Sequence, residues 1–243
     1  RTGFVTRLAS VELRFASLSG REKESPKMEI LQRVLALVIG YFCGCFVTGY
    51  FYGKSQKVDI RTMGSGNAGT TNTLRNLGWK AGAVTFLGDC FKCVLAICLV
   101  RVLFRKDGAD MLKLLELYAG FGAILGHNFP FYLKFKGGKG IACTAGLLVA
   151  FCPFEIPVCL ALFVLAVAIT RYVSVGSILV VLSFLLQTVI FGQMGWFHVS
   201  EGYLPELYIL SAVITGMAIW RHKSNIGRLM HGTENKFSMK HKS

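Results

Sequence analysis

The sequence predicts an all-α, polytopic helical membrane protein with about seven transmembrane helices. Of its 243 residues, 53% are hydrophobic and only 16% are charged, whereas a soluble domain typically carries about 25% charged residues. Several apolar runs also reach the roughly 20 residues that a helix needs to cross the hydrocarbon core of a bilayer. Composition and run length therefore place the chain in the membrane before any motif is considered.

The apolar runs predict spans at about 30–52, 81–103, 112–133, 140–153, 154–170, 175–192 and 204–220. The fourth and fifth spans belong to one stretch, Ile141 to Thr170, which is too long for a single crossing. Pro153 and Pro157 lie in its middle, and proline interrupts a helix because it has no amide donor and clashes with the preceding turn. We therefore expect two short helices with a reversal between them.

Lysine and arginine set the predicted orientation. They concentrate in the connections 53–80, 134–139 and 171–174 and in the tail after Trp220, and they are sparse in the opposite connections. Cytoplasmic loops carry this excess in membrane proteins, so the C-terminus is expected in the cytoplasm and, with seven spans, the N-terminus outside. The net charge of +14 then calls for no nucleic-acid partner.

The first 27 residues differ from the rest of the chain. They lack an initial Met, mix Arg, Ser and Glu, and have no apolar core long enough for a signal peptide. Residues 1–27 are expected to be a disordered or non-native extension, and 28–243 a single integral-membrane domain. A basic extension would also conflict with an N-terminus outside, which supports a start at Met28.

The sequence predicts neither a metal site nor a cofactor. Its eight cysteines lie almost wholly in apolar runs, and the pair Cys90 and Cys93 has no second CxxC or His pair to complete a tetrahedral site. The acids near the polar connections are Asp59, Asp89 and Glu234, too dispersed to hold Mg²⁺. Asp89 also lies three residues before Lys92 within a span, where the two charges can neutralise each other in a structural role.

The first polar block is GSGNAGTTNTLR, residues 64–75. It matches GxGxxG, but no βαβ unit fits between two membrane helices, so a dinucleotide site is rejected. A glycine-rich turn with many small donors can instead form an anion-binding nest, strengthened if a helix begins near residue 70. The candidate phosphate-binding residues here are Ser65, Asn67, Gly69, Thr71, Asn72 and Arg75.

The second block is GHNFPFYLKFKGGKG, residues 126–140. It is not a P-loop, because a P-loop needs glycine at the position of Leu133. Lys136 and Lys139 flank Gly137 and Gly138, and glycine lets the backbone approach a ligand closely. The block therefore predicts a phosphate site. A lone histidine such as His127 is more often a packing residue than a catalyst, and it is kept as a binding candidate.

Two later blocks complete the polar set. RYVSVGS, residues 171–177, contributes Ser174. RHKSNIGRLMHGTEN, residues 221–235, contains His222, Asn225 and Arg228 at a spacing of three, which places them on one face of a helix. The alternative for this segment is a basic helix that lies on anionic lipid.

Together these blocks resemble the acyl-phosphate:glycerol-3-phosphate acyltransferase family of bacterial membranes. The resemblance covers about residues 30–237 and rests on SGNAGTTNTLR, GHNFPFYLKFKGGKG and HKSNIGRLMHGTE, with weaker support from GWKAGAVTFLGDCFK and RYVSVGSI. It implies transfer of a fatty acyl group from acyl phosphate to the 1-hydroxyl of glycerol 3-phosphate, giving lysophosphatidic acid and phosphate. It also implies a bacterial inner-membrane enzyme that faces the cytoplasm, and we expect it to act as a monomer.

Acyl phosphate is already activated, so the expected catalyst positions two anionic substrates and needs no protein nucleophile. The residues expected to carry catalysis are Ser65, Arg75, Lys139, His222 and Asn225. The oxyanion is expected to meet either the amides of Gly137 and Gly138 or Asn225. The general base is left open between His222 and a phosphate oxygen of a substrate.

Three other functions fit parts of the sequence. An organic-phosphate transporter would show internal repeats and binding residues near mid-membrane, and neither is found. A scaffold on the lipid surface would use the basic connections alone. A metal-dependent phosphatidyltransferase would need paired aspartates, which the polar blocks lack.

Overall fold

The computed structural model describes residues 26–106 and 108–237, and all regular structure in this part of the chain is helical. The all-α prediction is therefore confirmed. The helices are α1 (Pro26–Cys45), α2 (Thr48–Ser55), α3 (Thr70–Leu77), α4 (Trp79–Leu103), α5 (Ala109–Asn128), α6 (Ile141–Phe151), α7 (Ile156–Thr170), α8 (Val173–Gln193), α9 (Leu204–Arg221) and α10 (Lys223–Met230). The predicted N-terminal extension lies outside the described residues, apart from Pro26 and Lys27, which belong to α1.

The chain divides into two compact units, Arg1–Val34 and Leu35–Ser243. Of the first unit, the structure describes the beginning of α1, where Glu29 and Arg33 form an ion pair at 3.2 Å one turn apart. The candidate site lies wholly within the second unit.

Four described stretches are long and apolar enough to cross a membrane: Pro26–Ser55, Trp79–Leu103, Pro153–Thr170 and Val173–Gln193. α6 is apolar but shorter. α5 and α9 cover two further predicted spans, and α5 carries several charged residues near its start. The count of seven spans and the orientation of the termini remain predictions.

The predicted interruption of the 140–170 stretch is present. α6 ends at Phe151, a 3₁₀ turn covers Pro153–Glu155, and α7 begins at Ile156. The start of α6 and the start of α8 line the same cavity, so the chain leaves that cavity along α6 and returns along α7.

The span predicted at 30–52 is broken where the sequence predicted it to be continuous. α1 ends at Cys45 and α2 begins at Thr48. The Lys92 ammonium donates to the Phe46 carbonyl at 2.7 Å, and the Thr48 amide donates to the Asp89 carboxylate at 3.2 Å. The buried ion pair therefore takes over backbone groups that a continuous helix would pair internally.

Small residues bring α1 and α5 into close contact. Gly40 and Gly44 on α1 face Gly122 and Gly126 on α5, and a Cβ on any of the four would overlap the backbone of the other helix. Glycines spaced by four allow such close approach between membrane helices. This packing fixes the end of α5, where His127 enters the candidate site.

Candidate functional site

A polar cavity of about 140 Å³ lies where the four polar sequence blocks converge. We call this space the polar cavity. Its lining includes twelve of the predicted site residues: Ser65, Asn67, Gly69, Thr71, Asn72, Arg75, His127, Lys139, Ser174, His222, Asn225 and Arg228. The structure thus brings residues more than 150 positions apart into one site.

The first block supplies a helix N-terminus to this cavity. α3 begins at Thr70 after the extended Gly69, and both Thr70 and Thr71 line the cavity. The first turn of a helix has unpaired amides and a positive end of the helix dipole, which favour an anion. Ser65 lines the cavity from the preceding loop, and its hydroxyl makes no hydrogen bond within the described residues.

Asn72 holds this loop together rather than receiving a ligand. Its amide nitrogen donates to the carbonyls of Ile60 at 3.1 Å and Met63 at 2.9 Å, and its oxygen accepts from the Ser65 amide and the Asn76 side chain, both at 3.0 Å. Both donors and both lone pairs are therefore used. The prediction that Asn72 receives phosphate is corrected on this account.

Gly137 and Gly138 pack against the end of α5 instead of a ligand. Their amides donate to the carbonyls of Asn128 at 3.1 Å and His127 at 3.0 Å. A Cβ on Gly138 would overlap the His127 ring at Nε2, and one on Gly137 would overlap the His127 carbonyl oxygen. The expectation that these amides bind phosphate or an oxyanion is therefore wrong, because they are already paired and buried.

Arg221, which no sequence motif singled out, holds the same glycine pair from the other side. Its guanidinium donates to the Gly138 carbonyl at 2.5 and 3.1 Å and to the Gly137 carbonyl at 3.3 Å. It also lies over the Phe129 ring, 5.2 Å from the centroid. The two glycines are thus fixed between the His127 turn and the end of α9, which positions Lys139 one residue later.

His127 belongs to a buried polar network. Its Nδ1 accepts from the Lys92 ammonium at 2.9 Å, so Nε2 carries the ring proton. Lys92 forms the expected ion pair with Asp89 at 2.8 Å. His127 and Asp89 both line the polar cavity, so this network forms part of its wall.

Lys139 and Asn225 make direct contact in the cavity, the ammonium donating to the Asn225 side-chain oxygen. Burial, together with the nearby Arg228, lowers the pKa of Lys139 to about 8, although Glu234 opposes the shift. A lysine with this pKa is still mostly charged at neutral pH. Lys139 is thus a cation held in a partly desolvated site, where its attraction for an anion is stronger than in water.

Glu234 is an acid in contact with the cationic residues of the cavity, and no sequence motif singled it out as part of the site. Its carboxylate accepts from the Asn225 amide at 2.8 Å, the Arg228 guanidinium at 2.7 Å and the Ser174 hydroxyl at 3.2 Å. It is buried. Glu234 therefore orients the side chains of α10 and α8 toward one cavity.

His222 is poised as a hydrogen-bond acceptor. Its Nδ1 donates to the Ala218 carbonyl at 2.7 Å, which leaves the lone pair on Nε2. Nε2 has no partner among the described residues. Burial first, and then the charge of Lys139, lower the pKa of His222 to about 4. The ring is accordingly neutral at physiological pH.

A second, strongly basic pocket of about 490 Å³ adjoins the polar cavity and shares Ser65, Asn67, Lys139 and Arg228 with it. We call it the cationic pocket. Lys136 and Lys223 line it, and neither ammonium has a hydrogen-bonding acceptor in the described part of the chain. Of the predicted site residues outside the polar cavity, Lys136 and Gly137 lie here, whereas Gly138 lies beneath, against His127.

An apolar groove of about 770 Å³ lies on another side of the polar cavity. The two spaces share Thr70, Thr71, Phe86, Phe163 and Val173 in their linings. Phe237 lines one part of the groove, and its amide donates to the Arg171 carbonyl at 2.6 Å. The lining of the groove is mainly apolar, so an apolar chain can lie in it while a polar head occupies the adjoining cavity.

Among the described residues, no three His, Cys, Asp or Glu side chains converge closely enough to hold a metal ion. The cysteines in this part of the chain are all free.

Membrane-length apolar helices and a cationic cavity beside an apolar groove define an integral membrane protein with a site shaped for an amphipathic anion. A family model described as glycerol-3-phosphate acyltransferase matches residues 34–232. The glycerol-3-phosphate acyltransferase of Thermoanaerobacter pseudethanolicus is 39% identical over 208 residues, which cover 85% of this chain and 96% of that protein. The chain therefore belongs to the glycerol-3-phosphate acyltransferase family, as the resemblance predicts.

Two solved structures share the fold. Both are of PlsY (YgiH), described as an integral membrane glycerol 3-phosphate acyltransferase. The glycerol 3-phosphate form has a TM-score of 0.73 and 30% identity. The lysophosphatidic acid form has a TM-score of 0.70 and 29% identity. Each comparison covers 85% of this chain and 96% of the other.

Proposed function

We propose that this chain transfers a fatty acyl group from acyl phosphate to the 1-hydroxyl of glycerol 3-phosphate, releasing lysophosphatidic acid and inorganic phosphate. The names of its relatives support glycerol 3-phosphate as the acceptor. The donor is supported by one observation: the polar cavity and the apolar groove share a wall. A molecule with a phosphate head and a fatty tail fits both spaces at once.

Three cationic side chains line the cavity in which the phosphates of both substrates are proposed to bind. Arg75, Lys139 and Arg228 line the polar cavity, and Arg228 and Lys139 also line the cationic pocket. Two phosphates repel each other unless positive charge and N–H donors receive them. We assign these three side chains to the phosphates, with the α3 N-terminus and the Ser65 hydroxyl as further donors.

The reaction needs no covalent intermediate with the protein. The 1-hydroxyl oxygen attacks the acyl carbonyl carbon, a new C–O ester bond forms, and the bond from that carbon to the phosphate oxygen breaks. The electron pair leaves with the phosphate. Positioning both substrates supplies much of the rate, and Asn225, whose Nδ2 keeps one hydrogen beyond its bond to Glu234, is the remaining candidate donor to the oxyanion.

The hydroxyl proton is proposed to pass to a phosphate oxygen of a substrate rather than to remain on His222. With a pKa of about 4, the His222 ring holds a proton poorly at neutral pH. A phosphate monoester such as glycerol 3-phosphate has its second pKa near 6, so its phosphate oxygen is a better acceptor than the His222 ring. His222 is assigned to accept a hydrogen bond through Nε2 and to orient the substrate.

The proposed setting is the cytoplasmic face of the bacterial inner membrane, with a single chain as the working unit. The basic connections that predict this side also form the cavity, including Lys139 and Arg228. Neither a metal nor a cofactor takes part in the proposed steps.

The test uses the purified full chain in detergent or lipid nanodiscs with labelled glycerol 3-phosphate. We expect lysophosphatidic acid and phosphate in equal amounts with acyl phosphate, no product with acyl-CoA, and unchanged activity in EDTA. Lys139→Met should abolish product, whereas Lys106→Met, an exposed lysine after α4, should not. Product from acyl-CoA but not from acyl phosphate would overturn the donor, and uptake of unmodified glycerol 3-phosphate into vesicles would favour transport.

A further inference from the structure

Asp89 lines the polar cavity, and one of its two carboxylate oxygens has no donor among the described residues. Asp89 has no exposed surface. Its Oδ1 accepts from the Thr48 hydroxyl at 3.0 Å, the Thr48 amide at 3.2 Å and the Lys92 ammonium at 2.8 Å. Its Oδ2 has no hydrogen-bond partner among the described residues.

The surrounding groups cannot satisfy this oxygen. Lys92 uses its three N–H bonds on Asp89, the Phe46 carbonyl at 2.7 Å and His127 Nδ1 at 2.9 Å. Thr48 already directs both its amide and its hydroxyl at Oδ1. A buried carboxylate oxygen without a donor is costly, so Oδ2 is suited to a donor that arrives with a ligand.

The negative charge of Asp89 restricts which ligand group can donate a hydrogen bond to Oδ2. A carboxylate repels a phosphate, which belongs beside Arg75, Lys139 and Arg228 in the same cavity. A neutral hydroxyl, in contrast, can donate to it. The Lys92 contact balances the Asp89 charge and Thr48 fixes the carboxylate, an arrangement for holding a hydroxyl rather than for removing its proton.

We infer that Asp89 Oδ2 accepts a hydrogen bond from the non-reacting 2-hydroxyl of glycerol 3-phosphate and so selects the acceptor substrate. This inference rests on the proposed function. It makes Asp89 a specificity-determining residue: the cations bind the phosphate end, and Asp89 recognises the middle carbon, which together direct the 1-hydroxyl toward the acyl carbonyl.

The test compares two acceptors, glycerol 3-phosphate and 3-hydroxypropyl phosphate, which lacks only the 2-hydroxyl. A hydrogen bond to a charged group raises kcat/KM roughly ten- to a hundredfold. The wild-type kcat/KM should therefore be higher for glycerol 3-phosphate than for 3-hydroxypropyl phosphate by that factor. Asp89→Asn should reduce the preference to within about threefold. It should do so by lowering turnover of glycerol 3-phosphate while turnover of the analogue stays near the wild-type value, which also shows that the variant is folded.

A third acceptor distinguishes attraction to the negative charge of Asp89 from a hydrogen bond that the side-chain amide introduced by Asp89→Asn could still make. An analogue with an ammonium group at carbon 2 should be used by the wild-type protein, because a carboxylate attracts it, and should be the acceptor most impaired in Asp89→Asn.

Glu155 provides a matched control. It also has a fully buried side-chain carboxyl group, with one oxygen bonded to the Thr188 hydroxyl at 3.1 Å and one unpartnered oxygen. It does not line the polar cavity. Glu155→Gln should therefore leave the ratio between the acceptors unchanged.

Two results would overturn the inference: equal wild-type use of the two acceptors, or an equal loss on both in Asp89→Asn, as a purely structural role predicts. A wild-type protein that acylates neither acceptor would instead refute the proposed function itself.

Discussion

The pH dependence of acceptor use follows from the buried position of Lys139. Its pKa is lowered to about 8, with burial as the largest cause and the nearby arginine charge next. The ammonium attracts a phosphate, and the neutral amine does not. Affinity for glycerol 3-phosphate is therefore present below pH 8 and is lost as the pH rises through that value.

The size of the effect can be worked from the titration. At one pH unit above its pKa, a lysine is about one-tenth protonated, so kcat/KM should fall about tenfold for each further unit. kcat/KM reports the pKa of the free enzyme. The assay is kcat/KM for glycerol 3-phosphate between about pH 6 and 9.5, corrected for hydrolysis of acyl phosphate without protein.

A matched variant tests whether Lys139, and not another titrating group, causes the fall in kcat/KM near pH 8. Lys139→Arg keeps a positive charge across this range because arginine does not deprotonate, so its profile should lose the fall near pH 8. Lys136→Arg, at an exposed position, should keep it. A wild-type profile that stays flat to pH 9.5, or a fall near pH 8 that persists in Lys139→Arg, would refute the reasoning.

Three further results are expected. Gly138→Ala should abolish activity because its Cβ would overlap the His127 ring, whereas Gly227→Ala, with open space around it, should be tolerated; comparable loss in both would contradict the packing argument. Raising the salt concentration should lower kcat/KM for glycerol 3-phosphate, and Lys223→Gln should flatten that dependence, because Lys223 lines the cationic pocket; an unchanged slope would argue against attraction through this pocket. Phe237→Ala should enlarge the apolar groove and shift donor preference toward longer acyl chains, as measured by competition between acyl phosphates of different length; an unaltered preference would place the chain elsewhere.

The sequence predicts the membrane class and most of the polar cavity because both depend on local patterns. Apolar runs of membrane length identify the helices, and the spacing of His222, Asn225 and Arg228 places three side chains on one wall. Pro153 likewise predicts the interruption between α6 and α7. Each of these features is set within a few residues of chain.

Features that depend on long-range partners could not be read from the sequence. The break after Cys45 is made by Lys92 and Asp89, more than forty positions away. Gly137 and Gly138 are glycines because the His127 turn packs against them, a contact that sequence spacing does not reveal.

The same holds for individual polar groups. Asn72 lies in a glycine-rich loop and is therefore predicted from the sequence to bind phosphate, yet its four hydrogen-bonding positions are all used within that loop. Glu234 looks like an ordinary tail residue, yet it orients three side chains of the cavity. Whether a polar side chain is free depends on its partners, and only the folded chain supplies them.

The central claim is that both substrates occupy one site together and that the acyl group passes directly between them. Initial velocities measured over a grid of acyl phosphate and glycerol 3-phosphate concentrations test this claim most directly. Direct transfer predicts double-reciprocal lines that intersect, because a complex with both substrates must form. Parallel lines, which are typical of a covalent acyl-enzyme intermediate, would contradict it.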